Sequence, residues 1–195
     1  MDRTKTRGMV TVALNRSTGV ILESEFVKLH ESDGSWGVFE KDWREQCERI
    51  GEDFDSFAGL TFSVVKDLVH TENGKAGLYA LRMEGSHVAM CQLNYATIPG
   101  YQEPVIRTRF ITLSPTYDLT DVGEGAYSKA MIDLLYHVIR TGALDKTMKT
   151  RHVKFHLRSP ADKAFFTAVG RGLNESDVFE SVKTIGQWLH VSIAE

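Results

Sequence analysis

The run LSPTYDLTDVGEGAYSKAMIDLLYHVI, Leu113 to Ile139, sets Gly123 and Gly125 in a polar loop that opens an amphipathic helix just after a strand-like segment. Glycines let a chain turn tightly and bring its backbone close to an anion. Around Leu113, Val122, Gly123, Glu124, Gly125 and Ala126, successive N–H groups and the positive end of the helix could together hold a pyrophosphate. Such a cradle needs no charged side chain. A Gly-x-Gly at a helix start is equally what an ordinary tight turn looks like. Glu124 would oppose a phosphate only with its carboxylate turned inward; on the outer side of the first turn the helix dipole stabilises it.

Other side chains could add chemistry. Arg107 and Arg109 in VIRTRFITL could hold an acceptor carboxylate in a bidentate grip, or join an ordinary cross-strand ion pair. His152 and His156 have a metal-ligand spacing for a helix, but on a strand they stand about 13 Å apart, so zinc is not expected. His156 remains a candidate acid or base because imidazole suits proton transfer near neutral pH. Ser159 reads first as a helix cap, with a hydroxyl that could also serve chemistry. Asp118, Glu84 and the carboxylates of GEDFD are candidate bases or solvated loop charges. Trp36, Trp43 and Trp188 fit packing. The chain has no Gly-x-Ser-x-Gly elbow, Walker loop or His-Glu-x-x-His helix.

The elements that must position these groups follow from the hydrophobic period. With 195 residues, 42% apolar and 25% charged, the chain suits one domain over 1–195. The N-terminal part predicts a strand over Met9–Leu14, a turn at NRSTG, a helix over VILESEFVKLHES, and a clearer helix in FEKDWREQCERIG stopped by Gly51. GEDFDSF reads as an acidic loop. LTFSVVKDLV then reads as a strand turning at Asn73-Gly74 into GLYALRM, followed by HVAMCQLNYA and VIRTRFITL, an antiparallel meander. In VIRTRFITL strict alternation opposes Ile106, Thr108, Phe110 and Thr112 to Arg107, Arg109, Ile111 and Leu113. The helix after the glycines closes near Gly142. HVKFHL is a strand, SPADKAFFTAVG a helix capped by Ser159 and ended at Gly170 or Gly172, and SVKTIGQWLHVSI one or two closing strands. Strand, helix, strand, helix, strand is a parallel crossover set beside the meander.

From about Tyr79 to Ile193 this order resembles the GNAT superfamily of acyl-coenzyme A dependent N-acyltransferases. LSPTY matches the family's Pro-x-Tyr turn. TDVGEGA matches its Gln/Arg-x-x-Gly-x-Gly/Ala loop, with Thr120 at the first position, and SPADKAFFTAVG matches its later helix motif through Ser159, Asp162, Phe165, Phe166 and Gly170. The departures are a loop two residues longer than usual, Thr120 in place of a basic or amide residue, Glu124, and Phe166 where many members carry a tyrosine that protonates the leaving thiolate. The resemblance implies an α/β (α+β) fold: a mixed, mostly antiparallel central sheet with helices on both faces, and residues 1–59 as a family-variable segment.

The resemblance also implies acyl-CoA, acetyl-CoA or longer, as co-substrate. Its diphosphate would lie on the glycine loop and its amide-bearing arm between VIRTRFITL and HVKFHL, where two parallel strands splay. Arg107 and Arg109 would face a small-molecule amine acceptor, and Ser159 would lie near the thiol. Two alternatives stay open: a catalytically inactive domain of this fold that binds a ligand or protein, and an acyl-carrier-protein-dependent N-acyl amino acid or acyl-homoserine-lactone synthase, faintly matched by GEDFD and RTRF.

Net charge is -3 and the seven histidines are scattered, so no nucleic-acid or anionic membrane partner is expected; a homodimer through an exposed strand edge stays open. No stretch nears the ~20 apolar residues that span a bilayer, and a cytoplasmic protein is expected, with Cys47 and Cys91 reduced and buried.

Overall fold

In the computed structural model, which describes residues 24–70 and 73–195, seven strands form one sheet in the order β1-β2-β3-β4-β5-β7-β6. The expected strand over Met9–Leu14, the turn after it and the start of the first expected helix lie outside the described residues. From Ser24 that expected helix is instead strand β1 (Ser24–Leu29), paired antiparallel with β2 (Ala76–Met83). Apolar Phe26 and Leu29 fit a helical face, yet they also sit on opposite faces of a strand. Phe26 stacks on Tyr79 with ring centroids 5.0 Å apart, while Leu29 is buried on the other side of the sheet. Pairing with β2 therefore overrides local period, as tertiary context commonly does. The side chain of Lys28 crosses Gly77, where a Cβ would meet its Cε at 2.6 Å, and reaches the carbonyl of Asn73.

Helix α1 (Ser35–Ile50) ends at Gly51, whose φ of 76° and N–H bond to the Glu48 carbonyl close the last turn as the sequence predicts. The expected acidic loop and strand that follow are one helix, α2 (Phe54–His70). Asp53 accepts from the Ser56 N–H at its start. Its buried residues Phe54, Ala58, Phe62, Val65 and Val69 recur every three or four positions. The β-branched Thr61, Val64 and Val65 favour a strand locally, but only the helical period carries Phe62 onto Phe39, Trp36 and Trp43. Asn73-Gly74 consequently turns a helix into a strand rather than joining two strands.

Strands β2, β3 (Ser86–Ala96) and β4 (Val105–Leu113) form the expected meander. Alternation in β4 is not continuous. Phe110 and Ile111 stand opposite the single residue Cys91, and Phe110 takes a φ of 47°, so this is a bulge. Beyond it the phase inverts: Ile106 and Thr108 are buried before the bulge, Ile111 and Leu113 after it, and Phe110 is exposed.

A short helix α3 (Pro115–Leu119) and the long α4 (Gly123–Leu144) cross over to β5 (His152–His156), which runs parallel to β4. α5 (Pro160–Leu173) leads to β6 (Phe179–Ile185), which hairpins at Gly186 into β7 (Trp188–Ile193). β7 inserts between β5 and β6, so among the described residues β4 and β5 form the one parallel hydrogen-bonded pair. Two glycines read as helix stops lie inside their helices, at close approaches. A Cβ on Gly142 would meet the Thr150 carbonyl oxygen at 3.1 Å, and one on Gly170 the Val182 side chain at 3.2 Å.

Each face of the sheet has its own core. α4 and α5 pack Met131, Leu134, Val138 and Phe166 onto Leu81, Cys91, Ile106, Val153 and Phe155. α1 and α2 pack the aromatic cluster of Trp36, Phe39, Trp43 and Phe62 onto Leu29, Leu78, Ala80 and Met90. Cys47 and Cys91 are free and buried, as expected. Under the α1 side lies a polar knot: Trp43 Nε1 and Gln46 Nε2 both donate to the His87 carbonyl, while Asp42 accepts from the His87 N–H and ring Nδ1.

Phe39→Ala should lower unfolding free energy by about 3–5 kcal/mol in urea titration, because a fully buried ring at the centre of the aromatic cluster is lost. Burial holds the imidazoles of His87 and His137 below the ordinary histidine value, more strongly than Asp42 raises the first. The unfolded chain, titrating near ~6.5, takes up protons first as pH falls, so their contribution is present above that value and lost below it. The melting temperature should therefore drop between about pH 6.5 and 5, and drop less in His137→Gln.

Candidate functional site

The parallel pair β4–β5 is bonded over only three registers, Ile106 with Val153, Arg107 with Lys154 and Thr108 with Phe155. β4 then runs on to Leu113 with no partner on that side, while β5 turns away along β7, where the Leu157 N–H bonds to the Gln187 carbonyl. The two strands thus diverge like a fork, as the sequence reading anticipates. Because they are parallel, the helices that follow each of them, α4 and α5, both begin at the open end.

Two contacts tie those helix starts together. Asp162, in the first turn of α5, exchanges hydrogen bonds with Ser159 in a capping box and accepts from the Arg158 N–H. Its other carboxylate oxygen accepts a hydrogen bond from the Tyr127 hydroxyl of α4. Arg158 pairs with Asp118 of α3 at 3.3 Å. Burial and the Asp162 carboxylate push the Tyr127 phenol far above its ordinary value, so it remains a donor. Neither Tyr127 nor the second role of Asp162 was read from the sequence; the only signal was a tyrosine four residues after Gly123.

The glycine loop is open. A Cβ on Gly123 or Gly125 would meet nothing within 4 Å, and Gly123 takes a φ of 77°. The expected cradle is narrower than the sequence suggested. The Val122 N–H bonds to the Thr120 carbonyl and the Gly123 N–H to the Asp121 carboxylate. Ala126 is the first residue whose N–H an α-helix beginning at Gly123 bonds internally. Glu124 and Gly125 are the amides left facing outward. Glu124 is exposed, and the Thr120 hydroxyl turns back to the Thr116 carbonyl. The longer loop is taken up by α3.

Leu113 is buried at the end of β4. Two hydroxyls along the fork, Thr108 Oγ1 where it opens and Ser114 Oγ where β4 ends, are buried without a hydrogen-bond partner. Orphaned buried hydroxyls are costly unless something bonds to them. Phe166 is buried against Phe155 and Phe165 and brings no hydroxyl.

Arg107, Arg109 and His156 lie on the sheet face opposite α4 and α5. Arg107 donates to Asn94 at 2.6 Å, the Arg109 guanidinium stands over Trp188, and His156 meets the same indole edge-on. The structure therefore separates Ser159, at the helix starts, from the arginines and His156, with the fork between them. Of the other candidate bases, Asp118 pairs with Arg158, Asp55 pairs with Arg44 at 3.4 Å, Asp53 accepts from the Ser56 N–H, and Glu84 occupies the β2–β3 turn with a φ of 51°. Among the described residues no group of three or more His, Cys, Asp or Glu could hold a metal, and no helix is long and apolar enough to cross a membrane.

No protein-family model and no curated protein matches this sequence. Solved structures do. A probable acetyltransferase from Staphylococcus epidermidis ATCC 12228 superposes with a TM-score of 0.52 at 13% identity, covering 88% of this chain and 99% of that one. The GNAT domain of S. lividans PAT aligns at 11% identity over 86% of this chain and 88% of that one, with a TM-score of 0.44. An N-acetyltransferase from Staphylococcus aureus Mu50 aligns at 14% identity over 87% and 97%, also with a TM-score of 0.44. A mixed, mostly antiparallel sheet with one forked parallel pair, helices on both faces, and the first of these likenesses together show that the chain has a GNAT-like fold.

Proposed function

We propose that this chain is an N-acyltransferase that moves an acyl group from an acyl-coenzyme A thioester to the amine of a small, amino-acid-like acceptor by direct attack. The observation that carries the reading is the fork: a parallel pair that opens after three registers, beside an accessible glycine-led helix start. The thioester supplies an activated acyl carbon; the chain supplies position. The amides of Glu124 and Gly125 hold the diphosphate, with Val122, Ala126 and Leu113 around it, and the free edge of β4 pairs with the amide-bearing arm as a further strand would. Thr108 and Ser114 hydroxyls gain partners along the way. On the opposite face Arg107 and Arg109 hold the acceptor carboxylate, and His156 takes the ammonium proton. Ser159 stands at the thiol end. With Phe166 in the core, water or the acceptor itself protonates the departing thiolate. Rate enhancement then rests chiefly on holding the two reactants together.

A second reading, a domain of this fold that binds a donor without turnover, is favoured by Phe166 and by the Asp121 carboxylate on the Gly123 amide. Calorimetry with acetyl-coenzyme A, longer acyl-coenzyme A and free coenzyme A, followed by thiol release across a panel of amines, separates the two. The N-acyltransferase reading expects saturable binding and amine-dependent release. Binding with no release from any amine would point to the inactive domain, and no binding at all to a carrier-protein donor. Gly125→Glu places a carboxylate where the diphosphate lies, in open space at a helix position that tolerates it. It should weaken donor binding at least about tenfold while leaving the melting temperature near that of the parent.

A further inference from the structure

Among the described residues, the sheet face that carries α1 and α2 over β1–β3 continues without a helix across β4, β5, β7 and β6. The strand registers define what lies on it. One row runs Asn94, Arg107, Lys154, His190, Lys183 from β3 to β6. Toward the fork, Gln92 stands opposite Arg109 and His156 opposite Trp188. The Trp188 ring is a floor shared by two cations, with Lys154 Nζ 5.1 Å and the Arg109 guanidinium carbon 6.0 Å from its centroid.

Among the described residues, Arg107, Arg109 and Lys154 form no ion pair with a carboxylate. Glu103 and Glu195, just outside the ends of β4 and β7, are both tied to Arg151. Arg107 has one tie, to the neutral Asn94, and its Nε is buried without a partner. Burial, and then the neighbouring arginines, holds the Lys154 ammonium below its ordinary value, and burial and Arg109 do the same to Arg107. Tyr101 closes one side of the row through its hydrogen bond to His190 at 2.7 Å. Adjacent strands stand about 4.8 Å apart and alternate residues of one strand about 6.6 Å. Arg107 and Lys154 are register partners, Arg109 stands two residues along, and the two arginines act on the Lys154 ammonium, so three like charges cluster here with nothing in the described chain to offset their repulsion.

We propose that this basic face is the acceptor site, and that the acceptor is an amine carrying two negative charges to it, either on one phosphomonoester or on a pair of carboxylates. The assignment of the ligand as acceptor rests on the N-acyltransferase reading; the anion site itself does not. A single carboxylate would satisfy one guanidinium and leave two cations unpaired. A dianion engages a fork-shaped donor on each arginine and the point charge of Lys154 together. Arg109 and His156 are the first residues of their strands beyond the last bonded register, so an amine anchored here sits at the mouth of the fork.

The test is calorimetric titration at low salt with O-phospho-L-serine and L-glutamate, and with L-serine and L-glutamine as their uncharged-side-chain counterparts. It is run on the parent, Lys154→Met and Gly125→Glu, with and without saturating coenzyme A. At least one dianion should bind about tenfold or more tightly than its counterpart, and which one does so distinguishes phosphomonoester from dicarboxylate. Lys154→Met should lose that preference while its ligand-free melting temperature stays level or rises, since a repelled cation has gone; a residue with a merely structural role would lower it. Dianion binding that persists in Gly125→Glu, and alongside coenzyme A, supports the site independently of the donor reading. Equal affinity for dianions and counterparts, unchanged affinity in Lys154→Met, displacement of the dianion by coenzyme A, or tighter Lys154-dependent binding of a short single-stranded oligonucleotide would each overturn the proposal.

Discussion

Two parallel strands that bond over three registers and then part impose the main constraint on this molecule. A parallel pair requires a crossover, and α3 and α4 supply it, so a helix start necessarily falls where the strands diverge. The bulge at Phe110 bends β4 and inverts its phase, so Ile106 and Thr108 on one side of it and Ile111 and Leu113 on the other all reach the same core. Without that inversion Ile111 and Leu113 would face away from α4. The free edge of β4 is shielded at its ends by buried residues whose hydroxyls lack partners, and the capping box at α5 holds the opposite lip through Asp162, Tyr127 and Arg158. Among the described residues, hydrogen bonds and an ion pair thus frame the gap.

The two faces of the sheet divide the work. One is sealed by α4 and α5 over a continuous apolar core. The other, among the described residues, is sealed over β1–β3 by an aromatic cluster from α1 and α2, and beyond them shows cations and an indole. The fork is where the faces communicate. A donor held from the glycine side and an acceptor held from the basic side would meet there with no enzyme nucleophile, an arrangement in which orientation supplies most of the rate.

The parts legible in the sequence were those in which local and tertiary preferences agree. Gly51 after a helical period, Ser159-Pro160 with Asp162, and the apolar runs of β2 and β3 each state one structure at both levels. The failures occurred where they conflict. Phe26 and Leu29 serve a helix or an edge strand equally well, and the edge of β2 decided for the strand. Val64 and Val65 favour a strand, yet burial of every third or fourth residue made α2. Gly142 and Gly170 read as stops because close backbone approach and helix termination call for the same residue. In the candidate site, glycine spacing and strand order were readable. The occupied Gly123 amide, the Tyr127–Asp162 bond and the union of Lys154 and Trp188 with the arginines were not, because they depend on strand register and on turns that bring distant segments together.

Hydrogen exchange of the backbone on addition of acetyl-coenzyme A probes the fork most directly. If the donor arm pairs with the free edge of β4, amides between Arg109 and Ser114 and at Glu124 and Gly125 should slow together, while those of β1 and β6 are unchanged. Saturating donor binding with no added protection between Arg109 and Ser114 would contradict the account.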